Sequence, residues 1–248
     1  MSEPAPDPAR LRTQPEQAIA SLRRAAAGQD SAAQLLLAQL YAEGRGVPAD
    51  PATAMLWYEV AANAGQPVAM NQLGRCHELG FGTPVNEALA ALWYRRAADH
   101  GLDWGMYNLA HLHASGRGVA QDQTQALALY RQAAERGHAK SMNFLARYLD
   151  QGLACTADPH AARDWYRRSA EAGDFRGQAS YATVLADAGA LDQAERWMRR
   201  AIAGGHAGFL RQLTALLGNA PQPRLRALLE EVTARQSQLQ ATAVAVTA

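Results

Sequence analysis

Gly44-Arg45-Gly46, Gly80-Phe81-Gly82 and Gly116-Arg117-Gly118 follow one another at steps of 36 residues, and Gly152-Leu153-Ala154 continues the register in degraded form. A fixed period of this length constrains the fold more tightly than any bulk property. A unit this short cannot enclose a core, so its apolar faces must be buried against its neighbours in a stack. Stacked repeats seldom house a catalytic pocket; they present an extended surface to a partner.

Aligned on these turns, the rest of the unit falls into place. A first helix precedes each turn, over Ala33–Ala42, Ala69–Glu78, Gly105–Ala114 and Ser141–Asp150. Each carries a large residue and then a small one, Leu37-Ala38, Leu73-Gly74, Leu109-Ala110 and Leu145-Ala146, and then a varying position filled by Tyr41, His77, His113 and Leu149. After the turn, Asp50, Asn86, Asp122 and Asp158 are candidate N-caps, because a short side-chain oxygen can accept an unpaired N–H at a helix start. The second helix carries Ala54, Ala88, Ala126 and Ala162. Trp57-Tyr58, Trp93-Tyr94, Leu129-Tyr130 and Trp165-Tyr166 follow, and then a small pair such as Ala61-Ala62. The spacing from Ala54 to Tyr58 to Ala61-Ala62 lies on one helical face. Gly65, Gly101, Gly137 and Gly173 end these helices at 36-residue intervals and suit left-handed C-caps. Ala194, Trp197, Ala201 and Gly205 mark a shorter fifth unit with a step of 32, and Gly28 ends a lone second helix upstream.

The expected fold is therefore all-α, a right-handed α/α superhelical solenoid of about twelve helices. Residues 1–13 form a loose tail, 14–30 an N-terminal capping helix, and 31–206 five repeats (31–66, 67–102, 103–138, 139–174 and 175–206). Residues 207–236 supply capping helices, Phe209–Leu217 and Arg224–Val232, and 237–248 a second loose tail. A net charge of +1 gives no general attraction to nucleic acid or to an anionic membrane, and no apolar run approaches the ~20 residues of a membrane span. Met1–Arg12 lacks the apolar stretch of a secretory signal, so the expected location is the cytoplasm; the chain is also expected to be bacterial. Cys76 and Cys155 lie in different repeats and read as unpaired thiols.

The unit A-x3-L-[GA]-x2-[YH]-x2-G-x-G-V-x2-D-x3-A-x2-W-Y-x2-A-A-x2-G resembles the Sel-one-like repeat, a relative of the tetratricopeptide repeat, over roughly residues 31–174. The resemblance implies adaptors, scaffolds and regulators with no catalytic residues to transfer; no cofactor and no metal are expected. It also leaves an alternative, a β-lactamase-like small-molecule hydrolase of the kind suspected in cysteine-rich relatives. A sensor of small anions is the further alternative.

In related two-helix repeats the first helix lines the concave surface. Counted from the small residue, that face lies at −3, +1 and +4. It comprises Leu35, Gln39 and Ala42; Asn71, Arg75 and Glu78; Tyr107, His111 and Ala114; and Asn143, Arg147 and Asp150, with Trp104 and Lys140 one turn earlier. Arg75, His111 and Arg147 form a stripe suited to carboxylates, Asn71 and Asn143 suit a peptide backbone, and Trp104 and Tyr107 are apolar anchors. The expected partner is a protein or peptide segment with acidic character, and neither nucleic acid nor membrane. The competing reading is a solvated face on which Arg75 pairs with Glu78 and Arg147 with Asp150. His111 and His113, two apart on a helix, point about 200° away from each other and cannot chelate one ion.

Overall fold

The computed structural model describes residues 15–247; the tail expected over residues 1–13 lies outside them. Its helices are α1 (Pro15–Ala27), α2 (Ser31–Glu43), α3 (Pro51–Asn63), α4 (Pro67–Leu79), α5 (Glu87–Asp99), α6 (Asp103–Ser115) and α7 (Gln123–Glu135). They continue as α8 (Ala139–Gln151), α9 (Pro159–Glu171), α10 (Phe175–Asp187), α11 (Leu191–Gly204), α12 (Ala207–Gly218), α13 (Pro223–Arg226) and α14 (Leu229–Thr247). No strand occurs among the described residues, and no described helix is long and apolar enough to cross a membrane. The chain is an α/α solenoid of tandem helix pairs. It divides into two compact units, one ending at Leu129 and the other beginning at Tyr130.

Helices α2 to α10 are each 13 residues long, because the same stop and start signals recur at the same places. Gly44, Gly80, Gly116 and Gly152 take left-handed φ angles of 65° to 74° as C-caps, where a side chain would be strained. Asp50, Asn86, Asp122 and Asp158 then accept backbone N–H groups of the helix they start. Their own N–H groups donate to the carbonyls of Tyr41, His77, His113 and Leu149, at 2.8–2.9 Å. The side chain at that varying position changes from repeat to repeat, but its carbonyl always clamps the loop. In the degraded turn Ala154 still adopts φ 56°, so the loop shape survives loss of the glycine.

The core follows the alignment. Leu37, Leu73, Leu109 and Leu145 are buried with the small residue beside each, and Tyr58, Tyr94, Tyr130 and Tyr166 are buried from the second helices. In the first unit, a Cβ on Gly74 would meet the Tyr94 ring at 2.7 Å, so glycine here is a condition of close helix packing.

Three expectations need correction. The buried alanine of the second repeat is Ala90, 36 residues after Ala54; Ala88 is exposed. Upstream, the left-handed position falls on Gln29 (φ 67°), 36 before Gly65, and not on Gly28. At the other end, Arg224–Val232 is not one helix. The short α13 is followed by α14, which runs on to Thr247 through the segment expected as a tail, because residues 229–247 hold neither Gly nor Pro to stop it.

Candidate functional site

In the first unit, α4 and α6 carry six of the expected contact residues, and two of them, Asn71 and Glu78, are already bonded within the protein. Asn71 is buried, and its Oδ1 accepts from Asn108 Nδ2 at 2.8 Å. Glu78 is half-buried; it accepts from the Tyr94 hydroxyl at 2.6 Å and pairs with Arg117 at 2.6 Å. Arg117, which also reaches Glu87 at 3.3 Å, is the middle residue of a Gly-x-Gly turn. The tripeptide thus bonds to the preceding repeat. The Arg75–Glu78 pair of the competing reading does not form: the Arg75 guanidinium is exposed and donates to Gln72 Oε1 at 3.3 Å. Glu78 is taken up by Tyr94 and Arg117 instead. His111 is held edge-on against Tyr107 (4.7 Å), which meets Trp104 edge-on (5.9 Å), so the three rings form a ladder along α6 with Trp104 well exposed.

His77 and His113 are buried in the first unit, and His77 Nδ1 has no partner among the described residues. Burial, partly opposed by the Glu59 charge, holds the His77 imidazole below its ordinary 6.5. The unfolded chain therefore takes up a proton that the folded chain resists, and stability falls as pH drops below that value. His77→Leu places there the residue type found at Leu149 and is expected to flatten the pH dependence of the melting temperature between about pH 7 and 5. An unchanged slope would show that His77 is not the source.

In the second unit, α8, α9, α10 and α12 line one concave groove of about 880 Å³. Asn143, Arg147 and Asp150 from α8 reach it; Lys140, half-buried on the same helix, is not in its wall. The Arg147–Asp150 pair of that competing reading is also not formed. Arg147 instead lies over the Phe144 ring at 4.7 Å, and Phe144 in turn stacks on Tyr130 at 4.9 Å. Two further arginines enter the groove, Arg163 from α9 and Arg176 from α10. Arg176 lies over Phe175 at 4.8 Å and Phe209 at 5.9 Å, with His206 Nε2 3.5 Å away. Among the described residues, Arg147, Arg163 and Arg176 form no ion pair with a carboxylate. Tyr166 and Phe209 contribute buried apolar wall. Burial, with the Asp150 charge close by, pushes the Tyr166 phenol up to about 12, so it remains a neutral donor.

Arg176 was within reach of the alignment. Carried into the fifth unit from Ala182, the offsets that give Trp104 and Lys140 give Arg176, and those that give Asn143 and Arg147 give Ala179 and Thr183, all in the groove wall. Arg163 carried no such signal, because it comes from a second helix, whose face was assigned to packing and solvent.

Other suggestive clusters are structural. Arg96, Arg168 and Arg200 each cover the tryptophan three residues earlier at 4.6–4.7 Å, so one arginine of each pair in these second helices serves packing. His138 Nδ1 meets Ser141 Oγ at 2.8 Å, but both residues are buried and the contact caps α8. Among the described residues, no group of three or more His, Cys, Asp and Glu side chains is placed to hold a metal.

These features define a helical-repeat protein whose second unit carries a concave groove lined by arginine and aromatic side chains. The chain belongs to the Sel1 repeat family, whose model matches residues 31–66, 67–102, 105–138, 139–174 and 190–206. Among solved structures it is similar to c5321, a protective antigen of uropathogenic Escherichia coli displaying an SLR fold. The two are 33% identical with a TM-score of 0.70, over 89% of this chain and 48% of that one, so the present chain spans about half the antigen's length. A Sel1 repeat protein from Oxalobacter formigenes is 25% identical with a TM-score of 0.70, over 88% of both chains. The Pseudomonas aeruginosa immunity protein Pa5087, 15% identical with a TM-score of 0.55 over 85% of this chain and 82% of that one, shares the fold. No protein with a curated description matches the chain.

Proposed function

We propose that this chain is a protein-interaction module, an adaptor, scaffold or regulatory subunit, that holds a partner's peptide or protein segment, acidic in character, on the face of its first helices. Sel1 repeat proteins generally mediate protein–protein interaction, and their fold is typically a binding scaffold. The observation that carries the reading is the second-unit groove, in which three arginines without carboxylate partners share a concave wall with apolar side chains. Arg75 and the Trp104–Tyr107–His111 ladder supply a comparable mixture of charge and aromatic area in the first unit. The site works in a cytoplasmic setting and takes neither nucleic acid nor membrane.

Affinity capture from the native host, quantified by mass spectrometry, tests this with Arg75→Glu/Arg147→Glu beside the parent chain. Both guanidinium groups are exposed, so the variant is expected to keep its helical circular dichroism and lose the specifically retained partners. Undiminished retention by a folded variant would remove this face from the binding site.

A further inference from the structure

The second-unit groove has a more particular chemistry, which refines the interaction role proposed for the chain and rests on it. Arginine usually neutralises itself on nearby carboxylates, as Arg117, Arg167, Arg199 and Arg224 do here. Arg147 and Arg176 are held in place by aromatic rings instead, over Phe144 and between Phe175 and Phe209. A guanidinium lying on a ring keeps its charge and its in-plane N–H donors, and its side chain is already ordered. Arg163, exposed on α9, faces the same space. Beside these charges lies an apolar stretch, the buried Phe209 and Leu213 and the strongly exposed Leu216 (46%).

We infer that this groove binds an acidic peptide segment carrying at least one aliphatic or aromatic side chain. Its carboxylates meet Arg147, Arg163 and Arg176, and its apolar side chain covers Phe209 and Leu216. A free small anion leaves the apolar stretch bare and fills a small part of 880 Å³. A nucleic-acid backbone, charged at every residue, meets Asp150 and Asp187 in the same wall. A peptide can turn its backbone N–H groups or a basic side chain toward those two carboxylates.

Selection of short random peptides displayed on phage against the full chain, followed by fluorescence anisotropy of the enriched sequences, tests the assignment. Acidic sequences with an aliphatic or aromatic residue are expected to be enriched and to lose affinity with rising salt. Arg163→Gln and Arg176→Gln should each weaken them about tenfold while helicity is unchanged. Enriched sequences without acidic excess, or acidic ones indifferent to both substitutions, overturn the inference. So does a single-stranded oligonucleotide that binds with the same dependence on Arg163 and Arg176. Acidic peptides that respond to Arg75→Gln instead would move the site to the first unit and leave the interaction role standing. No enriched peptide from the library overturns the groove assignment, and absence of any captured host protein as well overturns both.

Discussion

Replacing Gly118 by alanine will lower stability by roughly 2–5 kcal/mol, although the residue sits in an exposed loop. Two effects add. At φ 66° an alanine carries left-handed strain of about 1–2 kcal/mol. Its Cβ would also fall on the backbone carbonyl of Glu87, where α5 begins, and backbone cannot rotate out of the way. Gly82 stands in the same relation to Pro51 at the start of α3. Gly65 is the control: its φ is 87°, but an added Cβ meets nothing within 4 Å, so Gly65→Ala should show the strain alone. Urea titration followed by far-ultraviolet circular dichroism, with amide exchange in α5 and α6, will separate the two. Equal losses at Gly65 and Gly118 would refute the close approach.

Tyr94→Ala is expected to cost about 3–5 kcal/mol. The ring is fully buried and lies directly on Gly74, which has no side chain to collapse into the space left behind. Tyr94→Phe keeps the ring and removes the hydroxyl donated to Glu78, for a smaller loss of roughly 1–2 kcal/mol. Burial, reinforced by that hydrogen bond, holds the Tyr94 phenol far above its ordinary range, so it stays protonated and donating across the pH range of any melt. If Phe and Ala cost the same in thermal or urea unfolding, the contact with Gly74 is not what the ring supplies.

The repeat was legible because its determinants are local. Caps, left-handed glycines and the Leu-small step recur at one interval, and each has a single physical reason, so a misaligned position such as Ala88 is corrected by counting from Ala54. The site was legible only in part. Register shows which side chains share a face, but not what each finds across the gap. Glu78, a groove contact in one reading and the partner of Arg75 in the other, is bonded to Tyr94 and Arg117, 16 and 39 residues on. Arg147, which the competing reading pairs with Asp150, rests on Phe144. Arg163 was hidden because the groove wall includes a second helix, which no property of a single repeat announces.

The Asn71–Asn108 hydrogen bond joins the second repeat to the third, and the equivalent positions elsewhere do not reproduce it. Counted by 36, Asn71 corresponds to Leu35, Tyr107 and Asn143, and Asn108 to Gln72 and Phe144. The repeats are therefore not interchangeable cassettes. A gene duplication or deletion that set the first repeat against the third would face Asn108 with a leucine and leave a half-buried amide short of a partner, at about 1–3 kcal/mol. This one polar pair gives the array an internal order, so its evolution by whole-repeat shuffling is penalised at that joint.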